Sequence, residues 1–474
     1  MNYKSWLIGW FVTVSIGLVG ISFSAYYVDP FFHYHKPYLS RYYYELNNQR
    51  SQNDGIIKHF NYDAVITGTS MASPFKTSEA NHLFDRDFIK VTFSGAYYKE
   101  LNDSIETALK VNPNIKTVIR SLDLAYCDKI SDEGRADLGD YPTYLYDNNV
   151  LNDVYYLLNR DIIFGRVYPM IIGHLHGSDT GITDFDDYPG YMESLPSGIN
   201  TVKPDGITVS EPTEYLHLSE QDKNIISSNL YQNVIRVADE YPNVEFYYYF
   251  PPYSIAFWGD SHNDGTIYRW LEAERFIVED LITHPNIHLF SFFSRGDILT
   301  DLNNYKDTMH CSQWVYSLML KWMRDGKYQL TKDNFRDVLR REQEFLSGFD
   351  YSMINGQLDY EADFYAAALL NRELTDAEPI DLTDEIRSQN ELVVDLKDHN
   401  YLEFLARKHS DEGDATVCVR DKNGEVVGNQ ELAYTDSHDV MCQYVMDLSR
   451  VTGEVYITVE GADADFYIEN MILY

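Results

Sequence analysis

Asp307 and His310 stand three residues apart in a stretch that leads into a helix. That spacing lets a carboxylate hydrogen-bond one imidazole nitrogen and leave the other facing outward as a base. Such a base needs a nucleophile, and a hydroxyl is a weak one until its proton is taken and donors receive the developing oxyanion. Ser70, in Gly68-Thr69-Ser70, lies where an apolar run gives way to a helix, so its own N–H and the helix dipole point toward a reacting centre. Gly95 follows the next apolar run, and without a side chain its N–H can be approached closely. Taken singly these signals are poor, since Gly-Thr-Ser after a strand is usually a helix cap. Their joint placement at the ends of the first and last strands of one sheet carries the catalytic reading.

The elements that must position these residues alternate short apolar runs with helical ones, the pattern of a parallel sheet wrapped by helices. Strands are expected at Ala64–Ile66, Ile89–Phe93, Thr117–Leu122, Val244–Phe250 and Ile287–Phe293. Helices are marked by Leu101, Ile105 and Leu109, by Ile226, Leu230, Val234 and Val237, and by Ile267, Leu271, Val278 and Leu281. A doubly wound sheet gathers its ligand-binding loops at the carboxyl ends of the strands, which is where Ser70, Gly95, Asp123 and Asp307 to His310 fall. From about residue 385 the period drops to two, with an Asn423-Gly424 turn between apolar runs, and an all-β sandwich is expected. The expected organisation is therefore an anchor over 1–28, a juxtamembrane stalk over 29–60 and an α/β unit over 61–345 with an insertion at about 127–217. A helical linker over 346–384 and the sandwich over 385–474 complete it.

The anchor rests on Trp6 to Val28, an uncharged run of 23 residues. Such a run can cross a hydrocarbon core of about 30 Å. Lys4 precedes it and Asp29-Pro30 follows, which favours an inside amino terminus and a body outside the cytoplasm. A cleaved signal peptide, with Ser22 and Ser24 near the cut, is the rival, and the length of the run favours a single-pass anchor in the cell membrane.

With 74 acidic against 38 basic residues the formal charge is -36. That balance argues against nucleic acid, whose binding needs Lys and Arg to replace counterions. The 40 tyrosines suit either core and rim packing or sugar-facing surfaces. The four cysteines leave two readings open: pairs Cys127 with Cys311 and Cys418 with Cys442, or buried free thiols. His33 with His35, His174 with His176, and the acidic Asp179 to Asp187 stretch lack the ordered spacing of a metal site, so no metal and no cofactor is expected.

Gly68-Thr69-Ser70, Ser94-Gly95 and Asp307-Thr308-Met309-His310 resemble the first, second and fifth sequence blocks of the SGNH (GDSL-like) hydrolase superfamily. The resemblance spans roughly residues 60 to 325 and implies a flavodoxin-like catalytic fold. It makes Ser70 the nucleophile, His310 the general base and then acid, Asp307 its orienter and Gly95 an oxyanion donor. Thr69 replaces the usual Asp. Asp123 stands where the family's third block gives an Asn side chain, and a carboxylate there repels an oxyanion unless it is protonated or turned away. Asp123 is accordingly assigned to loop or substrate orientation.

A membrane segment joined to an SGNH-like body most resembles the exported proteins of glycan O-acylation, of the teichoic acid D-alanylation and alginate acetylation types. The terminal sandwich resembles carbohydrate-binding jelly rolls. The resemblance implies a membrane-anchored serine acyl esterase or O-acyltransferase acting on a cell-wall or secreted polysaccharide, beside a membrane-bound O-acyltransferase. The alternative is a non-catalytic glycan-binding or assembly protein on the same scaffold, which Asp123 keeps open.

Overall fold

The computed structural model describes residues 3–135, 141–189, 197–356, 379–389, 391–408, 415–432, 442–448, 451–461 and 466–473. The chain is mixed α/β, with one parallel-dominated sheet, a carboxyl-terminal antiparallel region and one apolar amino-terminal helix.

That helix, α1 (Tyr3–Val28), has 26 residues. At 1.5 Å per residue it is about 39 Å long. Its side chains are largely exposed until Ala25 and Val28, which enter the core of the body. Asp29 then turns the chain at a φ of 47°. The buried Asp29 carboxyl accepts the backbone N–H groups of His33, Tyr34 and His35 and the hydroxyl of Tyr156. Burial raises its pKa, opposed by those hydrogen bonds.

Residues 29–60 are not a free-standing spacer. Phe31, Phe32, Tyr44, Leu46, Ile56 and Ile57 are buried in the same core as the central sheet. Strand β1 (Tyr43–Tyr44) pairs with β5 (Gly181–Ile182) from the insertion, and α2 (Gln49–His59) packs over β3 (Phe88–Thr92). A methyl group at Gly55 would lie 2.3 Å from the Phe31 carbonyl oxygen, so α2 and the chain leaving α1 touch backbone to backbone. The sequence conceals this because α2 carries Gln52, Asn53 and Asp54 on its buried face.

The central sheet adds β2 (Ala64–Gly68), β4 (Thr117–Ser121), β6 (Glu245–Phe250), β7 (Ile287–Ser291) and β8 (Gln329–Leu330) in the order β3-β2-β4-β6-β7-β8. All neighbours are parallel except β8, which closes the edge antiparallel to β7. The five strands expected from the sequence are all parallel, and the structure adds this one short edge strand, whose Gln-Leu pair is too brief to give a period. Every residue of β2, β3 and β4 is buried, as in a sheet covered on both faces, and this includes Lys90 and Arg120. Helices α3 (Thr77–Phe84) and α4 (Tyr98–Val111) connect these first strands.

The insertion divides its contacts. Its first part, including α5 (Val154–Leu157), packs on α1 and the chain that follows it. There the Tyr146 hydroxyl donates to the Arg50 carbonyl and Tyr188 donates to Asn53. Its last part lies against the loop before His310, where the Gly198 N–H donates to the Tyr305 carbonyl.

Beyond residue 379, two four-stranded antiparallel sheets share a second apolar core that includes Leu402, Phe404, Val417, Val419, Ile457 and Leu473. Most of the expected helical linker, 357–378, lies outside the described residues. Cys127, Cys311 and Cys418 are buried free thiols, the second of the two readings left open by the sequence; the side chain of Cys442 lies outside the described residues.

Candidate active site

At the end of β2 the chain turns through Gly68, with a φ of 147°, into a short 3-10 turn over Ser70–Ala72. A Cβ on Gly68 would come within 2.5 Å of the Ser121 Oγ and 2.7 Å of the Ala72 Cβ, so only glycine allows the turn to close on β4. Thr69 caps the turn by accepting the Met71 N–H on its hydroxyl at 3.1 Å. Ser70 is left partly accessible at the carboxyl edge of the sheet, between buried Thr69 and buried Met71.

Ser70 Oγ lies 2.7 Å from His310 Nε2. His310 Nδ1 lies 2.7 Å from Asp307 Oδ2. The other Asp307 oxygen accepts the backbone N–H groups of Met309 and His310, at 2.8 and 2.7 Å, which fixes the carboxylate within its own turn. Burial works against ionisation of Asp307, but the His310 imidazole and these two N–H groups outweigh it and hold the carboxyl below its ordinary pKa.

The loop carrying them is a pinched excursion. Tyr305 and Cys311 bridge across its base, and the Lys306 N–H donates to the His310 carbonyl at 2.8 Å. Ser254, just after β6, donates both its hydroxyl and its N–H to the Thr308 carbonyl. The Tyr305 hydroxyl reaches the Pro252 carbonyl at 2.9 Å. The imidazole is therefore positioned by two strand ends rather than by a mobile tip.

Asp123 is 1% exposed. Its Oδ2 accepts the Ser121 hydroxyl at 2.7 Å and the Thr69 hydroxyl at 3.1 Å, and Tyr253 stands 3.5 Å from Oδ1. The carboxyl group thus turns into the core beneath the Ser70 turn. Burial raises its pKa, with the hydroxyl hydrogen bonds opposing. Ser121 completes a clasp by accepting the Thr69 N–H on its hydroxyl oxygen at 3.3 Å.

Gly95 adopts a φ of 67°, and the pairing of β2 with β3 continues through the Phe93 N–H to the Gly68 carbonyl, which brings the Gly95 turn beside Thr69 and Ser70. Side chains that carry no motif hold this turn. Arg135 donates to the Gly95 carbonyl at 2.7 Å, Arg50 to the Ser94 carbonyl at 3.1 Å, and the Gln49 side chain accepts the Ser94 N–H at 3.0 Å. None of the three had a sequence signal beyond being polar. Thr69 and Ser121 did have one, as hydroxyls flanking a carboxylate at paired strand ends.

The residues considered for metal binding have other surroundings. His33 faces Asp153 at 3.5 Å, His35 contacts the carbonyls of Lys36 and Tyr26, and His174 packs edge-on to Tyr42. Among the described residues there is no group of three or more His, Cys, Asp or Glu side chains able to hold a metal ion. A cavity of about 810 Å³ opens on the flank between α2 and α4, with Lys58, Glu100, Arg135 and Tyr141 in its wall, and Ser70 and His310 do not line it.

No family model and no curated protein matches the chain. A Streptococcus pneumonia protein assigned as a platelet activating factor is 12% identical over 59% of this chain and 91% of its own, with a TM-score of 0.30. A two-domain esterase (CEX) active on acetylated mannans is 10% identical over 86% of this chain and 89% of its own, with a TM-score of 0.24. A glycoside hydrolase family 43 arabinoxylan arabinofuranohydrolase from Bacillus subtilis is 14% identical over 18% of this chain, with a TM-score of 0.15; the chain spans 19% of that protein's length. Likenesses this weak decide neither the fold nor the chemistry.

Proposed function

We propose that the chain is an SGNH-type serine acyl esterase or O-acyltransferase, held at the cell membrane by α1 and acting outside the cytoplasm on a cell-wall or secreted polysaccharide. The observation that carries this reading is the continuous hydrogen-bonded line from Ser70 Oγ through His310 to Asp307, with both contacts at 2.7 Å. The sheet order gives it a setting: read by sequence, the first five strands run 2-1-3-4-5, the doubly wound flavodoxin-like order, in which ligands bind beyond the carboxyl ends.

In the first half-reaction His310 Nε2 takes the Ser70 proton as Oγ bonds to the acyl carbonyl carbon. The N–H groups of Ser70 and Gly95 receive the oxyanion, and the leaving alcohol departs with the proton returned by His310. In the second, His310 takes a proton from water or a sugar hydroxyl, that oxygen attacks the acyl-Ser70 ester, and the Ser70 oxygen leaves reprotonated. Water gives hydrolysis and sugar gives transfer. Asp307 keeps the imidazole oriented and stabilises its charged form. No metal or cofactor enters these steps. A membrane-bound O-acyltransferase is the proposed partner, and residues 385–474 are read as a jelly-roll-like unit that holds the glycan.

Asp123, the residue that favoured a scaffold without chemistry, is buried, with its Oδ2 accepting the Ser121 and Thr69 hydroxyls and its Oδ1 facing Tyr253, so we read it as a support of the turn rather than a repelling charge facing Ser70. The test is release of nitrophenol from a short acyl nitrophenyl ester by the full-length protein, with and without an oligosaccharide acceptor. Turnover that disappears in Ser70→Ala is expected, with acylated sugar formed when acceptor is present. Equal turnover by the Ser70→Ala protein would remove the reading.

A further inference from the structure

The charge of the chain is far from evenly spread. Residues 150–176 contain no Lys or Glu, and their two arginines, Arg160 and Arg166, are balanced by Asp153 and Asp161. A neutral, apolar stretch of this length in a chain of charge -36 stands apart from its surroundings. In a water-soluble surface its apolar side chains would be expected to turn inward. Tyr156, Ile162, Ile163 and Val167 do so, but Val150, Leu151, Tyr155, Phe164, Ile172 and Leu175 remain between 55% and 83% exposed. In the helix Tyr168–His176, Met170 and Ile171 are half-buried against the core while Ile172 and Leu175 face outward, and no residue is fully buried. Scattered exposed apolar residues need no explanation, but a contiguous group from one segment marks an interaction surface.

The position of this segment identifies what it meets. Both α5 and the π-helical turn Ile163–Val167 pack against α1. They join it where its side chains become partly covered, from Ile21 to Val28, which is about 10 Å of helix. The same region carries two ring pairs, Tyr26 with Tyr34 and Tyr27 with Tyr38, the amphipathic residues that gather at a membrane–water boundary. α1 is about 9 Å longer than a hydrocarbon core of about 30 Å, so its last turns and whatever packs on them sit at headgroup depth.

We infer that residues 150–176 are a second membrane-contact element, a monotopic apron seated in the outer interface of the bilayer around α1, with Leu151, Phe164 and Leu175 among the acyl chains and Arg160 at the phosphates. This rests on the reading of α1 as a membrane span. The occupant is lipid because the surface is continuous with α1, is neutral where the rest of the chain is acidic, and is rimmed by tyrosine. Its consequence is mechanical. The apron is tied through Tyr156 to Asp29, and through α2 to the Gly95 turn, so the catalytic edge has a fixed height above the membrane and addresses a substrate presented at the bilayer surface.

The test uses the full-length protein in liposomes of phosphatidylglycerol and phosphatidylethanolamine. Nitroxide labels are placed at Leu151→Cys, Phe164→Cys and Leu175→Cys, with Val12→Cys inside α1 and Glu220→Cys on the body as references. Collision rates with oxygen and with a water-soluble nickel complex report lipid or water at each label. Expected are oxygen-dominated collisions at 151, 164 and 175, as at 12, and nickel-dominated collisions at 220. Water-like collisions at 151, 164 and 175 with lipid-like collisions at 12 would overturn the apron alone. Water-like collisions at 12 as well would overturn the membrane span and the apron with it. Labels shielded from both reagents would mean that a second copy of the chain covers the surface, which also overturns the proposal.

Discussion

Thr69 donates its hydroxyl to the buried Asp123 carboxyl at 3.1 Å while accepting the Met71 N–H on the same oxygen. One side chain therefore joins the turn that presents Ser70 to the end of β4, and does so without touching the reacting atoms. Thr69→Val keeps the shape and removes both hydrogen bonds. It leaves a buried carboxyl with one partner fewer, which costs about 1–3 kcal/mol. We expect a Tm lowered by several degrees and a kcat reduced by about tenfold or more, with KM for a small ester little changed. A kcat equal to that of the wild type would show that the clasp does not position Ser70.

Gly68→Ala tests the same turn through the backbone. Its methyl group would meet the Ser121 Oγ and the Ala72 Cβ at distances that force β2 and β4 apart, in a conformation disfavoured for any L side chain. Reaction with ester substrates should fall by more than about 100-fold, since a displacement of about 1 Å at the nucleophile has that effect. Circular dichroism of the purified variant separates this loss from unfolding.

Asp307 accepts from His310 and from two backbone N–H groups, and these hold its carboxyl ionised below its usual range. Asp307→Asn keeps the size but offers an amide to the imidazole, which favours the wrong tautomer. A decrease in kcat of about 10²- to 10⁴-fold is expected, as where the carboxylate of a serine triad is replaced by its amide. An effect below threefold in a stopped assay of ester hydrolysis would mean that Asp307 only shapes its loop.

Far from Ser70, Ser291 Oγ lies 2.9 Å from Glu274 Oε1 and 2.8 Å from Glu342 Oε1, all buried. One hydroxyl proton serves only one of them, so the other carboxyl must bring a proton. Burial raises the pKa of both, and the neighbouring carboxylate adds to the shift of Glu274. The folded pair holds a proton that the unfolded chain releases near pH 4.3. Its stabilisation is therefore complete below that value and is lost as pH rises toward the folded pKa. Glu342→Gln should raise the Tm at pH 8 by a few degrees, about 1–2 kcal/mol, and flatten its fall between pH 5 and 8. A pH profile identical to that of the wild type would contradict the shared proton.

The strands were legible because a covered sheet demands apolar runs, and Val65, Ile66, Val118, Ile119, Phe246 and Leu289 supply them in short segments between helical patterns. The meeting of Ser70 with His310 followed from the ends of those runs. The orientation of Asp123 did not, because it is set by Thr69, 54 positions earlier, and by Tyr253, 130 positions later. The packing of residues 29–60 was hidden for a related reason: Gln52 and Asn53 are buried through hydrogen bonds to Glu45, Pro30 and Thr92 rather than through apolar character. The edge strand β8 is too short to announce itself, and Arg135 and Arg50 act on carbonyls, which any arginine can do.

The most direct test is the reaction of intact full-length protein with a fluorophosphonate, followed by peptide mass mapping. A single phosphonyl adduct on Ser70, slowed strongly in His310→Ala and absent in Ser70→Ala, is the expected result. Folded protein that remains unlabelled, or an adduct on another residue with Ser70 unmodified, would contradict a nucleophilic Ser70.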